Sequence, residues 1–181
     1  MTEQAKSEYL WRSRLRLLGW GTIAALLIAP AIAMQFTGEV HWSPGDFVVA
    51  ALMLGSVGLA MELAVRAFPN TAYRAGVALA LAAGFLTIWI NLAVGIVGNE
   101  NNPVNALFFI APLAVIGGGI VGAFRPRALA RAAALAALVQ VGVMLFIWLT
   151  GRGFPIGVTV FFATLYLIAA ALFRQAAQPG G

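Results

Sequence analysis

Six apolar runs take up most of this chain, and they limit what it can fold into more than any other feature. A helix needs about 20 predominantly apolar residues to cross ~30 Å of hydrocarbon, and the runs 15–34, 46–68, 72–97, 103–124, 128–150 and 155–173 all meet that length. A membrane β-barrel requires short strands that alternate apolar and polar residues. The stretch "LALAAGFLTIWINLAVGIV" is instead apolar on every face. The expected fold is therefore all-α: an integral membrane bundle of six transmembrane helices joined by short loops. An N-terminal arm (1–14) precedes the membrane domain (15–174), and a flexible tail (175–181) follows it. These segments leave no room for a soluble domain, so chemistry is confined to the bundle and its rims.

The basic residues set the orientation. Lys6, Arg12, Arg14 and Arg16 precede the first span, Arg66 and Arg74 flank the second connection, Arg125, Arg127 and Arg131 surround the fourth, and Arg174 follows the sixth. Only Arg152 falls on the opposite side. The positive-inside rule then places both termini in the cytoplasm, so the basicity encodes topology and no nucleic-acid partner is expected. The first span also carries Ala31 and Ala33 in an A-x-A spacing after a basic arm, as a signal peptide does, but its apolar run is longer than a typical signal core.

The chain has no cysteine and one histidine, His41. Disulfides, iron–sulfur clusters, thiol catalysis and bis-histidine haem or metal sites therefore lack their ligands, and no cofactor is expected. No nucleophile elbow, phosphate-binding loop or HExxH motif occurs either, which argues against an enzyme. The string "GGGIVG" formally matches G-x-G-x-x-G, yet it lies inside an apolar span and no acidic residue follows Glu100. Gly118 and Gly122, and on the second span Gly55 and Gly58, fit close helix packing better; a local break of the fourth helix at the glycine triplet is the alternative.

The loop "VGIVGNENNPVNALFF" combines punctuation with polar groups. Gly98 is expected to end the third helix in a left-handed cap, and Asn102 with Pro103 to start the fourth. Ser43 and Asp46 form a capping box for the second helix. Ser43-Pro44-x-Asp46 recurs as Asn102-Pro103-x-Asn105, and Pro69-x4-Arg74-Ala75 as Pro126-x4-Arg131-Ala132, a spacing compatible with duplicated hairpins.

Asn99, Glu100, Asn101 and Asn105 remain after this capping, and with Glu39, His41 and Asp46 they make an acidic, amide-rich outer face. That face suits a hard cation or a proton entry point, although exposed loop acids are commonly just solvated. Within the spans the polar residues are Ser56, Glu62, Thr87, Asn91, Gln140, Thr164 and Tyr166. An i,i+4 pair with Arg66 accounts for Glu62. Asn91 and Gln140 serve either as interhelical hydrogen bonds or, with Glu100, as the lining of a polar path. Trp11, Trp20, Trp42 and Trp148 lie near span ends, where aromatic belts anchor helices.

The pieces "AMQFTGEVHW" and "WINLAVGIVGNENNP", the glycine-rich fourth span and "FRPRALARA" resemble an uncharacterised family of short bacterial multi-pass membrane proteins. The likeness covers most of the chain. It implies the bacterial cytoplasmic (inner) membrane and a recurrent outer loop but brings no activity, and its usual Asn in place of His41 argues against a metal role there. Two functions are expected from these features. The first is a non-catalytic accessory or assembly subunit that packs against other membrane proteins or itself. The alternative is a small ion or solute transporter with Glu100, Asn91 and Gln140 along its route.

Overall fold

The computed structural model describes residues 3–178. The end of the expected tail, 179–181, lies outside the described residues, as do the side chains of Lys6, Trp11 and Arg12. The described chain is helical, with α1 (Glu3–Phe36), α2 (Pro44–Ala67), α3 (Thr71–Ala93), a 3-10 segment (Pro103–Phe109), α4 (Ile110–Val121), α5 (Pro126–Leu149) and α6 (Ile156–Ala176). Six stretches are long and apolar enough to cross a membrane, the fourth being the 3-10 segment and α4 together, Pro103–Val121. From Glu3 onward the N-terminal arm is part of α1.

Local chemistry sets most of the helix ends. The Ser43–Asp46 box forms as expected: Ser43 N and Oγ donate to Asp46 Oδ2 at 2.7 and 2.8 Å, and Asp46 N donates to Ser43 Oγ at 3.3 Å. Asn70, which sequence reasoning passed over, caps α3 by accepting from Tyr73 N at 2.8 Å. The third helix ends at Ala93, four residues short of the expected end; Gly98 is left-handed as expected (φ 73°), but so is Gly95 (φ 73°), and it is Gly95 that follows the helix end. The apolar residues Ile96 and Val97 prolong the hydrophobic run because they pack beneath the 3-10 segment, not because they are helical.

The chain forms two compact units, Met1–Leu63 and Ala64–Gly181. In the first, Trp20 and Ile23 of α1 lie over Gly58 of α2, where a Cβ would meet Ile23 Cδ1 at 2.6 Å. Glu62 has a partner in α1 that sequence reasoning did not name. Arg16 Nε reaches its two carboxylate oxygens at 2.9 and 3.1 Å, with Glu62 largely enclosed and Arg16 mostly exposed. That exposure leaves the pair a modest contribution to stability. From Arg16 to Phe36 α1 contributes no buried residue.

The second unit is built around α5. Ala130, Ala132, Ala133, Ala136 and Ala137 are all buried and let α4 and α6 approach the α5 backbone. On one side are the glycines of α4: a Cβ on Gly118 would lie 2.5 Å from Ala132 Cβ, and one on Gly122 would overlap Ala128 Cβ. α4 runs unbroken through Gly117–Gly119, so the glycines serve packing and not a helix break. The departure from α-helix falls earlier, at Pro103–Phe109, just ahead of Pro112, which has no N–H to complete an i−4 bond to Phe108. After α4 the chain turns through Ala123 and Phe124, both at positive φ (50° and 53°), and Tyr73 Oη fixes this turn by donating to the Phe124 carbonyl at 2.9 Å.

The glycines test this packing directly. Gly118→Leu should lower the stability of the isolated chain by on the order of 3 kcal/mol through overpacking. Gly55→Leu, where a Cβ meets open space, should be neutral or slightly stabilising. Thermal unfolding of the two variants in one detergent checks the contrast.

Candidate functional site

Two polar groupings lie in the second unit, one in the loop between α3 and α4 and one inside the bundle. The loop is organised by Asn105, whose side chain is buried. Its Oδ1 accepts from Ile96 N at 3.1 Å and Val97 N at 2.8 Å, and its Nδ2 donates to Asn99 O at 2.7 Å and Val97 O at 3.4 Å. One amide thereby satisfies backbone groups that have no helix to satisfy them. Asn102 starts the 3-10 segment as expected, accepting from Val104 N at 3.1 Å. Gly95 admits no side chain, because a Cβ would strike Asn99 O and lie 2.7 Å from Asn105 Nδ2.

Glu100 sits on the exposed part of this loop, where it accepts from Asn101 Nδ2 at 3.1 Å. Asn101 N in turn donates to Asn99 Oδ1 at 3.0 Å. Glu100 is thus exposed on the loop, whereas Asn91 and Gln140 are buried in the bundle. The Asn105 staple holds the backbone of Ile96 and Val97, and Val97 is seated inward. In the first unit Glu39 and His41 are exposed, and the Asp46 carboxylate is engaged in its capping box. Among the described residues no three His, Asp or Glu side chains are grouped to hold a metal ion.

The interior grouping is the more unusual. Thr87, Asn91, Gln140 and Thr159 are the buried polar residues of α3, α5 and α6, and Tyr166 is the largest fully buried side chain. Thr87 Oγ1 donates to Ala83 O at 2.8 Å, and Asn91 Nδ2 donates to Thr87 O at 2.7 Å, both along their own helix. Asn91 Oδ1, Gln140 Oε1 and Nε2, Thr159 Oγ1 and Tyr166 Oη have no hydrogen-bond partner. The interhelical bonds expected of Asn91 and Gln140 are therefore not what these side chains make. Thr159 escaped the sequence reading because it stands between two valines near the start of the last span. Its spacing to Phe162, Ala163 and Tyr166 on one face of α6 was the available signal.

Helix register places these groups along one stretch of the bundle interior. Tyr73 of α3 packs against Phe173 of α6 with ring centroids 5.6 Å apart, and a Cβ on Gly84 would lie 3.9 Å from Tyr166 Oη, so α3 and α6 run antiparallel. Tyr166 Oη is directed toward Thr87. Two helical turns onward from Gly84 on α3 stands Asn91, and two turns back from Tyr166 on α6 stands Thr159, which puts the pair at one level. On α5, Ala136 and Ala137 pack with Phe162, Ala163 and Tyr166, whereas Val143 and Ile147 pack with Val97, Val104 and Phe108. Gln140 lies between these clusters and faces the interior of the bundle. No protein family model, curated protein or solved structure matches the chain.

Because Asn105 holds Ile96, Val97 and Asn99 of the loop, Asn105→Ala should release it. Ile96 and Val97 amide protons should exchange faster while α5 protection persists, at a cost on the order of 3 kcal/mol. Asn105→Asp should not rescue the loop, because it sets a carboxylate oxygen against the carbonyls of Val97 and Asn99. Hydrogen exchange of the three proteins in micelles decides both points.

Proposed function

We propose that this multi-pass chain passes or binds a small polar solute within the unit Ala64–Gly181. The observation that carries this reading is the polar layer on α3, α5 and α6: polar residues at membrane depth are costly and mark substrate or ion routes. The transport alternative thereby moves ahead of the accessory one, since Gly118 and Gly122, which suggested docking of a partner, are spent on packing α4 against α5. The residues assigned to the route are Asn91, Gln140, Thr159 and Tyr166, without Glu100.

The second reading, an accessory subunit, is favoured by α1, whose membrane-spanning length from Arg16 to Phe36 buries no residue within the chain. Under either reading we assign the chain to the bacterial cytoplasmic membrane with both termini inside. Arg74, Arg125, Arg127, Arg131 and Arg174 all belong to the end of the second unit where Tyr73, Phe124 and Phe173 meet, and this supports that orientation.

In proteoliposomes, Gln140→Leu and Asn91→Leu should each reduce solute-driven volume change by tenfold or more while Glu100→Gln leaves it intact. No flux from the unaltered protein, together with a stoichiometric protein companion in native mass spectrometry, would turn the assignment to the accessory reading. Cysteines placed at positions 100 and 127 should be labelled from opposite faces of the membrane, and labelling of both from one face would break the topology.

A further inference from the structure

We infer that α3, α5 and α6 enclose an occluded site for a small uncharged hydroxyl-bearing solute, water or a short polyol, held by Asn91, Gln140, Thr159 and Tyr166. This names the occupant of the interior layer and rests on the reading of that layer as the working part of the chain.

The unpaired atoms specify the chemistry. Asn91 Oδ1 and Gln140 Oε1 accept, Gln140 Nε2 donates, and the Thr159 and Tyr166 hydroxyls do either. A metal or alkali cation satisfies the oxygens but offers nothing to the N–H groups of Gln140. An anion satisfies the donors but sets its charge against two carbonyl oxygens. A hydroxyl both donates and accepts, so water or an alcohol group meets every atom of the set.

Charge argues the same way. Among the described residues no Asp, Glu, Lys, Arg or His is buried, so a charged occupant finds no counter-ion among the buried side chains.

The site is closed at both ends by apolar layers. Val97, Val104, Phe108, Val143 and Ile147 cover it on the side of Glu100. Tyr73, Ala133, Ala170 and Phe173 close the opposite side. From the level of Tyr166 to that of Thr159 is about 10 Å along the helix, the length of a short polyol or a file of a few waters. Ala83, Gly84, Ala136, Ala137 and Ala163 line the same stretch.

The test is water-edited solid-state NMR on the full chain in lipid vesicles, with asparagine and glutamine side chains labelled with 15N and the Gln140 signal assigned by its loss in Gln140→Leu. The expected result is magnetisation transfer from water to Gln140 Nε2, lost when glycerol is added and weakened at least twofold in Thr159→Val, a near-isosteric change chosen to preserve the fold. A Gln140 signal that receives no transfer while Asn101 in the outer loop does would overturn the proposal. So would Gln140 and Asn91 signals that move with sodium or potassium chloride and ignore glycerol, because they would report an ion. Transfer at Gln140 without solute flux would keep the site and remove the passage reading. Flux with a silent Gln140 would keep passage and remove this site.

Discussion

The second unit depends on the alanine face of α5. With Ala133 and Ala136 fully enclosed, and Ala130, Ala132 and Ala137 nearly so, α5 presents almost bare backbone to its neighbours. α4 approaches it through Gly118 and Gly122, and α6 packs along it from Phe162 to Ala170. In a bilayer, lipid tails are as apolar as leucine, so helices do not associate to escape water. Close van der Waals contact is what holds them, and small residues make it possible. Larger residues on α5 would move α4 and α6 outward together and open the interior to lipid.

The same constraint explains the loop after α3. Backbone groups that leave a helix near the membrane must find partners within the protein, and although Ile90 O of α3 accepts from the amides of Val94 and Gly95, no helix supplies partners for those of Ile96 and Val97. Asn105 does so from the far side of the turn, binding Ile96, Val97 and Asn99. Its cost is a buried amide, fully compensated. The benefit is that Val97 is seated beneath Val104 and Phe108, forming an apolar plug over the polar layer. The polar knot in the sequence is thus a device that keeps its own acid, Glu100, on the surface and closes the interior below.

How far the sequence carries varies with the physics involved. Span number and approximate limits follow from hydropathy alone, because the bilayer fixes a length that the chain must match. The caps at Ser43 and Asn102 were legible because they depend on residues within four positions. The end of α3 was not, since burial of Ile96 and Val97 under a distant segment gives the same apolar signature as a helix. The pairing of Glu62 with Arg16 was equally invisible, as it joins positions far apart in sequence. Asn91, Gln140 and Tyr166 were recognisable as polar residues at depth. That they lie along one stretch of the interior with Thr159 depends on the register of α3 and α5 against α6, which no local pattern encodes.

That layer is difficult to explain as structure alone. An unsatisfied buried polar atom costs about 1–3 kcal/mol, and five of them set against a typical net stability of about 5–15 kcal/mol would consume much of what keeps a domain folded. Apolar replacements of similar shape exist for each: leucine for Gln140 or Asn91, valine for Thr159, phenylalanine for Tyr166. All are compatible with an α-helix and with the surrounding alanines. A bundle selected for packing alone would carry those residues. On the proposed reading, a molecule that meets these donors and acceptors together compensates the polar set.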